Sequence, residues 1–143
     1  MASLNVLVVE DNPADVDLLL ECLGLSDSTL AVNVVGDGLS AMAYLRANAT
    51  SEPHVVILDL NLPGLSGYEV LGEIKEDPRL RRIPVVVLTH SEAQSDVLRT
   101  YDLGANCYIT KPSNLQGFRR VVKQLEEFWF ELVRLPLSSL PRA

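Results

Sequence analysis

The chain alternates between unbroken apolar runs and amphipathic stretches from one end to the other. Leu4–Val9 carries five apolar residues in six, the pattern of a strand buried on both faces. Similar runs follow at Leu30–Val35, His54–Leu60, Ile83–Leu88 and, more briefly, Ala105–Ile109. The stretches between them repeat apolar residues at helical spacing. The first helix is predicted with Asn12 as its N-cap, Pro13 at its first position and Asp15 in a first turn where the helix dipole favours an anion. It runs to about Leu23 and stops at Gly24. Helices are also predicted over Leu39–Ala47, Gly67–Glu76 and Glu92–Leu103, ended by the polar NATSEP segment, by Asp77-Pro78 and by Gly104. A last helix begins near Leu115.

Five apolar strands alternating with five helices predict an α/β fold, a doubly wound parallel sheet with helices on both faces. The chain of 143 residues suits a single domain over 1–143, with a core at about 4–127 and a C-terminal extension at about 128–143. In such sheets ligands bind outside the carboxyl ends of the strands. Those ends are where charge collects. The first strand ends in Glu10-Asp11, the third in Asp59 and the fourth in Thr89, and the fifth leads to Lys111.

Clustered carboxylates repel strongly where the effective dielectric is low. A hard divalent cation resolves that repulsion, and oxygen ligands with positions left for water and phosphate suit Mg2+. Lys111 and Thr89 add a receptor for a phosphoryl group, one by charge and the other by a hydrogen bond. Asp59 then reads as a nucleophile that forms an aspartyl-phosphate. The plainer readings are a loop or cap acid for Asp59, helix capping for Glu10-Asp11, a solvated lysine for Lys111 and an ordinary β-branched strand residue for Thr89. Asn12 already supplies the cap, and the remaining coincidence of strand ends favours the chemical reading.

At this point VVEDN, ILDLNLPGLSG, VVVLTH and YITKP, in that order, resemble the receiver domain of bacterial response regulators, over roughly Leu4–Glu127. The resemblance implies a flavodoxin-like strand order of 2-1-3-4-5. It implies Asp59 as phosphoacceptor, Asp11 as direct Mg2+ ligand, Glu10 acting through water and Asn61 lending its backbone carbonyl to the metal. Thr89 becomes the switch hydroxyl, Lys111 the phosphate-binding lysine and Tyr108 the switch aromatic, although an aromatic at a strand end is equally plain core. A cis peptide between Lys111 and Pro112 is also implied. EDNPAD, EIKEDPRLRRIPVVVLTHS, YDLGANCYITKP and the late FW are similar to the small single-domain regulators paired with bacterial phytochromes, which makes a light-sensing histidine kinase the expected partner. Two residues depart from the family pattern. Glu10 replaces the commoner aspartate, and His90 is bulkier than the small residue usual after the switch hydroxyl. His90 is expected to narrow access to the acyl phosphate and change its hydrolysis rate.

Hydrophobic residues at 48% and charged ones at 22% exclude wholesale disorder. The net charge of -7 argues against a nonspecific nucleic-acid binder. No apolar run is long enough to cross a membrane, and MASLNVLVVED makes a poor signal peptide, so a cytoplasmic location is expected. Cys22 and Cys107 lie in apolar segments without motif spacing and read as reduced, packed thiols. The RLRR run at Arg79–Arg82 reads as a solvated loop, with an electrostatic kinase landing site as its alternative.

The C-terminal helix repeats Leu115, Phe118, Val121, Val122, Leu125, Trp129, Leu132 and Val133 at helical spacing, and Phe128, Phe130, Leu135 and Leu137 widen the apolar girth. One stripe covers a sheet face. The excess, chiefly Phe128, Trp129, Phe130, Leu132 and Val133, points to a homodimer through the fourth helix, fifth strand and fifth helix, unless the tail folds back on its own domain. No output domain is expected. Two other functions are weighed. A dehalogenase-like phosphatase needs a second aspartate at position 61, where Asn61 stands. An interaction module that has lost phosphorylation is disfavoured by the intact set of Asp11, Asp59, Thr89 and Lys111.

Overall fold

The structure is a computed structural model that describes residues 4–24, 30–47 and 52–136. Residues 48–51 of the polar NATSEP segment and the expected apolar Leu137 lie outside that range. The elements run β1 (Leu4–Val9), α1 (Pro13–Gly24), β2 (Leu30–Val35), α2 (Gly38–Ala47), β3 (Val55–Leu58), α3 (Gly67–Glu76), β4 (Val85–Thr89), α4 (Gln94–Asp102), β5 (Cys107–Thr110) and α5 (Leu115–Glu126), followed by a π-helical turn at Glu127–Leu132. All strand pairs are parallel and the sheet order is β2-β1-β3-β4-β5.

Side-chain alternation along each strand splits the core into two halves. Leu7, Val9, Val56, Leu58, Val85 and Val87 face α2 and α3. Val6, Val8, Val55, Ile57, Val86 and Leu88 face Leu19, Cys22 and Leu23 of α1 and Phe118, Val122 and Leu125 of α5. Burial on both faces is why these strands read as continuous apolar runs. Register then sets up the rim: Val9 pairs with Leu58, so Glu10 and Asp59 come next on adjacent strands, and Thr89 pairs with Thr110, the residue before Lys111.

Several boundaries differ from the sequence expectation for local reasons. β3 is shorter than His54–Leu60 because the His54 side chain, not a ladder carbonyl, accepts the Asn5 N–H at 2.9 Å. β4 begins after Pro84, which has no N–H to donate, and extends to Thr89. β5 begins after Asn106, whose side chain accepts the Val85 N–H at 2.9 Å. The RLRR run is only partly a solvated loop. Arg79 pairs with the buried Glu52 and donates to the Leu45 carbonyl at 3.0 Å, whereas Arg81 and Arg82 are exposed. Cys22 is buried, Cys107 is half-buried, and both are free thiols. Among the described residues, no helix is long and apolar enough to cross a membrane.

Candidate functional site

Glu10, Asp59, Thr89 and Lys111 meet at the carboxyl ends of β1, β3, β4 and β5, and all four are buried. Main-chain bonds fix each stalk. The Asp59 N–H donates to the Val9 carbonyl at 3.0 Å, the Glu10 N–H to the Val35 carbonyl at 3.0 Å, and the Lys111 N–H to the Thr89 carbonyl at 2.6 Å. The loop after Asp59 turns back through Gly64, at φ +71, into a capping box of Ser66 and Glu69 that opens α3. Gly67 rests against this loop so closely that a Cβ would lie 2.3 Å from the Asp59 carbonyl oxygen.

The Lys111 ammonium is the hub. Its Nζ donates to Glu10 Oε1, to Asp15 Oδ2 at 2.9 Å and to Asp59 Oδ2 at 3.2 Å. An ammonium has three protons, so its donor capacity is filled. Burial works to lower the Lys111 pKa, but the hydrogen bonds to Glu10 and Asp15 and the charge of Asp59 carry it above the ordinary value. The Glu10 pKa is raised as well, which for a carboxyl favours the neutral form. Burial pushes it up to about 7, opposed by Lys111 and reinforced by Asp59.

Carboxylate oxygens of Glu10, Asp11 and Asp59 lie within 4.8 Å of one another, with Asp11 exposed at the open side. Three hard oxygen donors with neither thiolate nor imidazole among them suit Mg2+. Asn61 contributes an N–H to Asp59 Oδ1 at 3.3 Å. Thr89 Oγ1 is buried and has no hydrogen-bond partner among the described residues. The Tyr108 hydroxyl is bonded to the Ser91 carbonyl at 2.9 Å, and the Thr110 hydroxyl shares that acceptor at 3.2 Å.

Three expectations need correction or addition. The Lys111–Pro112 bond is not cis, since no cis peptide occurs among the described residues. An X–Pro bond prefers trans by about 0.5–1 kcal/mol, and Lys111 reaches its three acceptors with the trans form. Asp15, read from the sequence only as a first-turn acid, is a direct partner of Lys111. Its signal was its place one helical turn beyond the acid pair. Of the apolar tail, Trp129 and Phe130 are half-buried against their own core and Val133 is half-buried, leaving Phe128 and Leu132 exposed. The π-helical turn rotates Trp129 and Phe130 onto the domain, so the tail's apolar excess is divided.

Comparison with known proteins places these features in context. The response regulator receiver domain family matches residues 6–123. The chain is 46% identical over 137 residues to the response regulator Rcp1 of Synechocystis sp., with 93% of each chain covered. It superposes on the phosphorylated cyanobacterial phytochrome response regulator RcpA with a TM-score of 0.91 at 49% identity, covering 95% of this chain and 100% of that one. The Mn2+-bound form of Rcp1 gives a TM-score of 0.88 at 44% identity, covering 93% and 99%.

Proposed function

The chain belongs to the response regulator receiver domain family, and on that footing we propose that it is a phosphorylation switch that takes a phosphoryl group on Asp59 from a sensor histidine kinase, a bacterial phytochrome. The observation that carries this reading is the buried Lys111 ammonium held against Asp59 beside the Glu10–Asp11 acids. Glu10, Asp11, Asp59 and the Asn61 carbonyl would hold Mg2+, which when bound neutralises the acid cluster and charge on the transferring oxygens.

The chain's own groups do the rest. An Asp59 oxygen forms a bond to phosphorus as the bond between phosphorus and the donor's leaving group breaks. Lys111, 3.2 Å from Asp59 Oδ2, exchanges that contact for a phosphoryl oxygen. The unpartnered Thr89 hydroxyl donates to a second phosphoryl oxygen. Movement of Thr89 pulls on Ser91, two residues on, whose carbonyl holds the Tyr108 and Thr110 hydroxyls. That carries the event from the site to the β5 edge of the sheet.

Phytochrome as partner is supported by relatedness to phytochrome response regulators. The reading is of a receiver domain over 1–143, working in the cytoplasm. It is also of a homodimer through α4, β5 and α5, supported by exposed Leu98 and Tyr101 on α4, which packs on the edge strand β5, by exposed Phe128, which lies near Cys107 and Ile109 of β5, and by exposed Leu132 farther along the tail. Mass measurement after incubation with acetyl phosphate and Mg2+ tests the central step. One phosphoryl group should add to the parent chain and none to Asp59→Asn. A parent chain that stays unmodified even with a phosphorylated phytochrome kinase refutes the switch.

A further inference from the structure

Asp15 sits in the first turn of α1, its backbone N–H donating to Asn12 Oδ1 at 3.1 Å. One of its oxygens, Oδ2, serves two cations or donors at once. Lys111 Nζ lies 2.9 Å from it and His90 Nε2 lies 3.2 Å from it. The three acceptors of Lys111 are therefore not equivalent. Glu10 and Asp59 belong to the oxygen cluster that suits a divalent ion, and Asp15 does not. A metal held by the oxygen cluster would compete with the ammonium for Glu10, and a phosphoryl group on Asp59 would compete for the Lys111 contact. Asp15 alone remains free to hold Lys111 at every stage.

His90 gives this anchor a second tether. It directly follows Thr89 at the end of β4 and reaches across the mouth of the site to α1. Its side chain is more than half exposed, whereas that of Asp15 is 17% exposed, so the imidazole covers the outer side of an otherwise sheltered carboxylate. Resting on the receiver reading above, we propose that Asp15 is the positioning residue of Lys111 and that His90, directly after Thr89, fixes Asp15 from the end of β4, so that displacement of Thr89 is transmitted to the lysine. Burial works to raise the Asp15 pKa, yet Lys111 and His90 together hold it below the usual carboxylate range, so the anchor stays charged. The ammonium bond to Asp15 is a charge-assisted one, of the stronger kind.

The test uses the full chain. In the metal-free, unphosphorylated protein, 15N–1H spectra of the lysine ammonium groups should give Lys111 a slowly exchanging signal of its own. Asp15→Ala should abolish it and His90→Ala should broaden it. His90→Gln should restore it, because a side-chain amide N–H can donate to the same oxygen. Asp15→Asn serves as a second, milder variant, and the backbone amide spectrum of each reports that the fold is kept. Initial rates of Asp59 phosphoryl uptake from acetyl phosphate with Mg2+ then form a double-mutant cycle. Asp15→Ala should slow uptake roughly tenfold, the scale of one lost charge-assisted hydrogen bond. Adding His90→Ala to that variant should change nothing more. A Lys111 signal that is absent in the parent or survives Asp15→Ala overturns the proposal, as does a His90→Ala effect of the same size in both backgrounds. A parent chain that takes no phosphoryl group sinks the receiver reading instead, while the ammonium spectra still decide the role of the pair.

Discussion

Thr89 carries a hydroxyl to the end of an all-buried strand and leaves it there without a hydrogen-bond partner among the described residues. A buried polar atom without a partner costs about 1–3 kcal/mol. Valine has nearly the same shape and the same β-branched preference for a strand. Thr89→Val is therefore expected to stabilise the unphosphorylated chain by about 1 kcal/mol in urea titration. It should also stop phosphorylation from altering the surroundings of Tyr108, as read by Tyr108 ring signals. A destabilisation of similar size would mean that the hydroxyl serves the resting fold. The residues that meet at the rim were legible because each is a polar group at the end of an apolar run: Glu10, Asp59, Thr89, and Lys111 just past β5. Asp15 was not. A first-turn acid has a sufficient local explanation in the helix dipole, and its partner Lys111 is 96 residues away. The X–Pro isomer was equally hidden, since the energy difference between its forms is small and no pattern of apolar positions encodes it.

Element identity and order followed from the spacing of apolar residues, because a strand covered on both faces has no competing pattern of that length. Element ends did not, because side chains decide them one by one. The start of β3 illustrates this. His54 donates its N–H to the Asn5 carbonyl at 2.8 Å and takes the Asn5 N–H on Nδ1 at 2.9 Å, so an imidazole completes the last rung beside β1. Nδ1 accepts only while it is unprotonated, and burial holds the His54 pKa below its ordinary 6.5. Below 6.5 the unfolded chain takes up a proton before the folded one does. The stability contributed by this histidine is full above that value and is lost as pH falls through the lower folded value. Urea midpoints at about pH 7.5 and about pH 5.5 should drop further in the parent chain than in His54→Gln, whose side chain does not titrate there. Equal drops in the two proteins would show that the histidine bond contributes nothing to acid sensitivity.

The two halves of the core are not equally complete around the sheet. α1, α2, α3 and α5 each bury several apolar side chains, whereas only Thr100 of α4 is buried. α4 instead keeps Leu98 and Tyr101 open, and at 57% and 49% exposure they lie beside an unpaired edge strand. The tail extends the same side. Phe128 packs edge-on against Trp129, with ring centroids 5.4 Å apart, and Leu132 is 71% exposed. The α4–β5–α5 side thus gathers Leu98, Tyr101, Phe128 and Leu132, whereas the exposed apolar residues Leu20, Val34 and Leu39 are spread over α1, β2 and α2, and it is the side that the proposed homodimer would cover. A net charge of -7 on each copy opposes that association. Salt screens the repulsion and leaves the apolar contact in place, so sedimentation velocity should show the dimer fraction rising with added NaCl. Leu132→Glu should lower that fraction at every salt concentration while leaving the urea midpoint within about 0.5 kcal/mol of the parent, as expected for an exposed site. A Leu132→Glu chain that pairs as strongly as the parent would move the interface to another side of the sheet.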